Sequence, residues 1–142
     1  MTSNEAAPVR QITPSELGTP PGYSQVIEVQ AGRIIFIAGQ TALDQEGKLV
    51  GKSDFAAQAE QVFRNLRVAL QSVGCTVANL VKLTVFLRDM DSLPTYREAR
   101  NRFFATTTPP AAPAITLVEV SRLYGPDFLI EIEAIAAAER HD

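Results

Sequence analysis

A chain of 142 residues with 46% hydrophobic and 20% charged residues has the length of one domain and enough apolar side chains for a packed core, which excludes a wholly disordered or collagen-like polymer. Its formal charge of −3 and pI near 5.2 repel a phosphate backbone, so general nucleic-acid binding has no electrostatic support. Cys75 is the single cysteine, apolar runs such as residues 34–38 fall far short of the roughly 18 residues of a membrane span, and no secretory signal opens the chain, so a cytoplasmic protein without an intrachain disulfide is expected.

Residues 1–22 hold four prolines and small polar residues without sustained periodicity, and read as a flexible arm ahead of one domain over residues 23–142. Val- and Ile-rich stretches over residues 23–30 and 33–38, joined at Ala31 and Gly32, predict a β-hairpin. A turn follows at Gly47. Phe55, Ala59, Val62, Phe63, Leu66, Leu70 and Val73 recur at three- and four-residue spacing and predict an amphipathic helix, with Ser53 or Asp54 to cap its start and Gly74 to end it. Residues 81–88 alternate as a strand, with Val81, Leu83, Val85 and Leu87 on one face and Lys82, Thr84, Phe86 and Arg88 on the other. Asp91 or Ser92 caps a second helix with Pro94 in its first turn and a weaker stripe of Leu93, Tyr96, Phe103 and Phe104.

Three threonines and three prolines keep residues 106–114 extended. Residues 115–120 and 128–137 then form two last strands about a turn at Gly125 and Pro126. The order is strand, strand, helix, strand, helix, strand, strand. It predicts an α+β fold in which a single mixed sheet carries both helices on one face, given right-handed crossovers. The other face presents Phe86, Leu129 and Ile135 among charged groups. It either meets further copies of the chain or faces water through Lys82, Arg88, Glu131 and Glu133.

The only histidine is His141, so neither a Ser/His/Asp triad nor a histidine metal site can be assembled within one chain. No glycine begins a phosphate-binding loop, and Cys75 has no histidine to activate it and reads as a small buried residue. The stretch over residues 130–135 is the most suggestive, because Glu131 and Glu133 alternate with branched apolar residues and share a strand face about 7 Å apart. Buried in an assembly, one of them has a raised pKa and serves as a general acid or base; on an open face, both are solvated or ion-paired.

The segments Gly22-Tyr23-Ser24-Gln25, Phe36-Ile37-Ala38-Gly39-Gln40, Val81-Lys82-Leu83-Thr84-Val85-Phe86, Val118-Glu119-Val120-Ser121-Arg122-Leu123 and Ile130-Glu131-Ile132-Glu133-Ala134-Ile135-Ala136 resemble the Rid family of reactive-intermediate (enamine and imine) deaminases, also called the YjgF/YER057c/UK114 family. The resemblance spans residues 22–137. It implies a chorismate-mutase-like fold, a homotrimer and small-molecule clefts at the subunit interfaces, with neither metal nor organic cofactor; that no nucleic-acid or membrane partner is expected follows instead from the acidic balance and the short apolar runs. By resemblance, Glu131 matches the catalytic glutamate that positions the hydrolytic water. Tyr23, Gly39 and Gln40 match substrate-binding positions, Ala38 stands where a serine is frequent, and Phe86 belongs to the same set.

Two further wall positions depart from the deaminating branch, since Ile115 stands where that branch has the arginine that holds the substrate carboxylate, and Leu117 where it often has cysteine. Arg97, near a common asparagine, is either a relocated guanidinium or a solvated helix residue. The resemblance therefore implies hydrolytic deamination of a small imine or enamine other than the usual 2-imino acids, for example an aminomuconate-type intermediate. A ligand-binding or regulatory trimer that kept the cleft without catalysis is the alternative.

Overall fold

The computed structural model describes residues 9–140; the first residues of the arm and His141 lie outside that range. Helix α1 (Phe55–Gln71) forms where the helical spacing is strongest. Asp54, in extended backbone, accepts a hydrogen bond from the Ala57 amide at 3.1 Å, and Gln58, Ala59, Val62, Phe63, Leu66 and Leu70 are buried along one stripe. The chain leaves through Gly74 at φ +72°, a left-handed turn that a residue with a Cβ adopts only with strain. Helix α2 (Leu93–Phe104) has Pro94 in its first turn, but Ser92 makes no side-chain cap. Asp89 instead accepts from the Asp91 amide at 2.8 Å and caps the short 3-10 turn that feeds the helix.

Strands β3 (Arg33–Gln40), β4 (Leu80–Leu87), β5 (Ala114–Glu119) and β6 (Ile130–Ala138) form one mixed sheet in the order β3-β6-β4-β5. Strand β6 runs antiparallel to both β3 and β4, and β5 runs parallel to β4. Helix α1 packs on β3 and β6, and α2 packs on α1. The Phe63 and Phe103 rings, 4.7 Å apart, join the helices, while Leu83, Val85, Leu87, Ile130, Ile132, Ala134 and Ala136 close the core from the sheet.

Three expectations change. The hairpin does not form: β2 (Val26–Val29) pairs with β1 (Val9–Ile12) as a separate two-stranded ribbon, and β3 pairs with β6. Ala31 and Gly32 do join β2 to β3, but Ile35 and Ile37 gain burial under α1 by pairing with β6, which the local pattern does not record. Part of the segment read as a loose arm is accordingly a strand, with Val9 opposite Val29 and Ile12 opposite Val26. Finally, the β4–β6 register shifts between Leu80 and Lys82, so Leu80 rather than Val81 joins the buried face.

The sheet face away from the helices carries Ile34, Phe36 and Ala38 from β3, Glu131, Glu133 and Ile135 from β6, and Thr84 and Phe86 from β4. Phe36 is 78% exposed there, more than the Phe86, Leu129 and Ile135 that the sequence pattern singles out. Among the described residues, no helix is long and apolar enough to cross a membrane.

Candidate functional site

Glu131 lies on β6 directly opposite Phe86 of β4. On its other side the β3–β6 register breaks between Ile37 and Gln40, so that Ala38 and Gly39 together stand opposite Glu133. The bulge brings the bare Cα of Gly39 against the Glu131 side chain: a Cβ added at Gly39 would lie 2.0 Å from Glu131 Oε2 and 2.9 Å from its carboxyl carbon. Half-buried in this place, the Glu131 carboxyl has its pKa pushed above the usual carboxylate range, first by burial and then by the charge of Glu133. Glu133 itself is exposed. The two carboxylates that look alike in sequence therefore have different surroundings.

Two polar side chains of α1 fix the segments that frame this place. Gln58, fully buried, donates to the carbonyls of Gly51 at 3.1 Å and Asp127 at 2.9 Å and accepts from the Leu129 amide at 2.9 Å, which sets the entry to β6. Asn65 donates to the carbonyls of Thr41 at 3.1 Å and Leu43 at 2.9 Å, holding the exit of β3. Beyond that exit, Gly39 and Gln40 border a cavity of about 750 Å³, also lined by Thr41, Arg64 and Tyr124. Thr41 and Tyr124 share a hydroxyl–hydroxyl bond of 2.6 Å, and Gln40 donates back to the Ala38 carbonyl at 3.0 Å. Glu131 does not line this cavity.

The remaining expected wall residues are elsewhere. Ile115 and Leu117 stand beside the core residues Leu83 and Val85 and pack on the helix side of the sheet, opposite to Glu131 and Phe86. Tyr23 precedes Ser24, which donates its amide to the Pro113 carbonyl at 3.1 Å and its hydroxyl to the Ala112 carbonyl, just before β5. Within one protomer the structure thus brings together Glu131, Phe86, Ala38 and Gly39, sets Gln40 opposite the core residue Ile132, and places Ile115 and Leu117 on the other face of the sheet.

Arg97 is exposed on α2. One turn on, Arg100 is buried, with only 9% of its surface accessible. Its Nε and Nη2 donate to Asn101 Oδ1 at 3.2 and 3.1 Å, and its guanidinium lies 5.9 Å from the centre of the Tyr96 ring. Sequence reasoning missed it, although Leu93, Tyr96, Arg100 and Phe103 form one helical stripe in which a charge is out of place. Gln58 is legible in the same way, as a polar residue among the buried positions of α1. Cys75 is buried, and burial raises its thiol pKa. Among the described residues, no three His, Cys, Asp or Glu side chains cluster as a metal site.

The family model described as Endoribonuclease L-PSP matches residues 13–138. A RutC family protein of Pyrococcus abyssi is 38% identical over 117 residues, covering 82% of this chain and 87% of the relative. A 2-iminobutanoate/2-iminopropanoate deaminase of Salmonella typhimurium is 36% identical over 108 residues, covering 76% and 82%. Among solved structures, a conserved Rid-family protein, YyfB of Yersinia pestis, superposes with a TM-score of 0.81 at 32% identity, covering 91% of this chain and 98% of that one. E. coli TdcF with bound serine superposes with a TM-score of 0.69 at 30% identity, covering 86% and 92%.

Proposed function

Because the chain belongs to the Rid family, with its YjgF fold, we propose that it hydrolyses a small reactive imine or enamine and releases ammonia, with Glu131 as the proton-handling residue. The observation that carries this reading is the Glu131 carboxyl itself, set against Gly39 and Phe86 with its pKa raised by burial. A carboxylate there takes a proton from water as its oxygen attacks the imine carbon. The carboxyl then returns that proton to the nitrogen of the carbinolamine, and as the C–N bond breaks the hydroxyl proton passes to the carboxylate, so that a protonated imine and one water leave as a carbonyl product and ammonium. The reaction consumes one water and needs no oxidant or reductant.

The cleft we propose is intersubunit. Glu131 and Phe86 lie on one face of the sheet while Ile115 and Leu117 lie on the other, so only a neighbouring protomer can complete a wall. A homotrimer supplies that neighbour and covers Phe36. Ile115 offers no charge, so a substrate carboxylate has no anchor on β5. The usual 2-imino acids are accordingly expected to be poorer substrates than imines or enamines anchored in another way.

Ammonia release from enzymatically generated imines tests the reading. Glu131→Gln is expected to lower turnover by about 10² to 10⁴-fold, the usual contribution of a general acid-base group, and Glu133→Gln much less. Equal, mild losses in both would return the two carboxylates to the status of solvated surface groups. The second reading, a ligand-binding trimer without catalysis, is favoured by the cavity bordered by Gly39 and Gln40, whose lining does not include Glu131. It predicts ligand binding that is indifferent to Glu131→Gln, with no ammonia from any imine offered.

A further inference from the structure

The bulge that carries Gly39 to Glu131 is the part of β3 without ladder partners. Ile37 pairs with Ala134 and Gln40 with Ile132, so Ala38 and Gly39 between them are placed by whatever holds the chain on either side. Toward Ile37 the ladder itself does this. Past Gln40 the chain comes to Thr41, which is polar yet buried and is held twice. Its carbonyl accepts from Asn65 of α1 at 3.1 Å, and its hydroxyl shares the 2.6 Å bond with the Tyr124 hydroxyl.

Tyr124 is 69% exposed, so water is at hand for its hydroxyl, and fixing its ring costs side-chain freedom. Other contacts keep the ring in place. It packs on the ring of Phe128 with centres 4.6 Å apart. Phe128 is buried, its amide donates to the Gly125 carbonyl at 3.3 Å, and its ring lies so close to Gly125 that a Cβ there would come within 2.7 Å of it. Asp127 and Leu129 of the same turn are the residues that Gln58 binds. The turn thus has a built interior, and two residues after Leu129 the chain reaches Glu131. Among the described residues, the bond between Thr41 and Tyr124 is the one hydrogen bond that joins this turn to the exit of β3.

We infer that Tyr124 is a positioning residue for the Glu131 site: through Thr41 it ties the exit of β3 to the entry of β6, and so sets how closely Gly39 approaches the Glu131 carboxyl. It acts through the two strands and takes no part in the proton transfer. The inference rests on reading Glu131 and Gly39 as the site, and adds the residue that fixes their separation.

The carbon-13 signal of the Glu131 carboxyl followed across pH, with ammonia release and melting alongside, tests this in wild type, Tyr124→Phe, Thr41→Val and the double variant. Tyr124→Phe keeps the ring on Phe128 and removes the hydroxyl alone. The charged side chains on the sheet face of Glu131 are Glu133 on β6 and Lys82 and Arg88 on β4, and none belongs to either segment that Tyr124 joins, so a change in the titration midpoint reports the approach of Gly39. Each single variant is expected to bring the midpoint down toward the ordinary 4.5, as a loosened bulge admits water, and to lower turnover about threefold to tenfold, the worth of one neutral hydrogen bond. The double variant should do no more than the stronger single one, because both remove the same bond. Thr41→Ser keeps the hydroxyl and should titrate as wild type.

An unmoved midpoint in Tyr124→Phe, whether or not melting falls, overturns the inference, and so do additive effects in the double variant. The titration is read without turnover, so the two readings fail separately. A lowered midpoint with no ammonia from any imine keeps the positioning role and removes the deaminase. Ammonia release at the wild-type rate in Tyr124→Phe, with the midpoint unmoved, does the reverse.

Discussion

A Cβ at position 39 would meet not only Glu131 Oε2 but also its Cγ, at 3.0 Å, so alanine there moves the whole glutamate side chain rather than a carboxylate tip. Gly39 is not among the glycines with positive φ, and its backbone tolerates alanine. Gly39→Ala is therefore expected to lower ammonia release by at least about tenfold through displacement of the acid-base group, while the melting temperature stays near wild type. Parallel assays of turnover and melting check it; a large loss of melting temperature would mean the bulge itself had failed. Glu131 also leaves a signature in stability. Its ordinary pKa is 4.5 and its folded value is higher, so between the two the fold keeps a proton that the unfolded chain has released. Stability falls as pH rises through that window and stays lowered above it. Glu131→Gln is thus expected to melt above wild type at neutral pH and to lose the advantage well below the ordinary carboxylate pKa, as melting curves across pH will show.

Helix α1 is held to the sheet by more than its apolar stripe. Gln58 satisfies the carbonyls of Gly51 and Asp127 and the amide of Leu129, and leucine in its place strands all three. Gln58→Leu is expected to destabilise by about 2–4 kcal/mol, since a buried polar group left unpaired costs about 1–3 kcal/mol and some of these groups regain water. That corresponds to a fall in melting temperature of roughly 5–15 °C, read by calorimetry. The helix was legible from spacing, down to a cap at Ser53 or Asp54, of which the fold uses Asp54. Gln58 is visible there as a polar residue on the apolar stripe, but its role is not, because that is set by three backbone groups from two distant loops. Strand β4 teaches the same lesson: alternation finds it, but the bulge after Leu80 depends on β6 and exchanges Val81 for Leu80 in the core.

Whole-molecule behaviour turns on the open sheet face. Phe36 at 78% exposure, beside Ile34 and Ile135, is an apolar patch whose burial contributes about 2 kcal/mol per protomer for the phenylalanine alone. Light scattering coupled to size exclusion is expected to give a trimer mass for wild type and a smaller species for Phe36→Glu, with loss of ammonia release in the smaller species. A wild-type monomer at micromolar concentration would remove the intersubunit cleft, because no single protomer joins Glu131 to Ile115.

What the amino-acid order determined by itself was everything carried by local periodicity and residue content: the α1 stripe, the β4 alternation, the shared face of Glu131 and Glu133, the lone His141 and Cys75, and the family resemblance through residues 22–137. A repeat of two or 3.6 residues is a property of neighbours along the chain, and so is a motif. Tertiary structure decided which strand pairs with which, where the ladder takes an extra residue, and which side of the sheet each wall residue occupies. It seated Glu131 on Gly39, sent β2 to β1, divided the expected site between two faces, and buried Arg100 beside Tyr96. Those outcomes depend on hydrogen-bond partners and burial supplied by residues far away in sequence, which no local pattern contains.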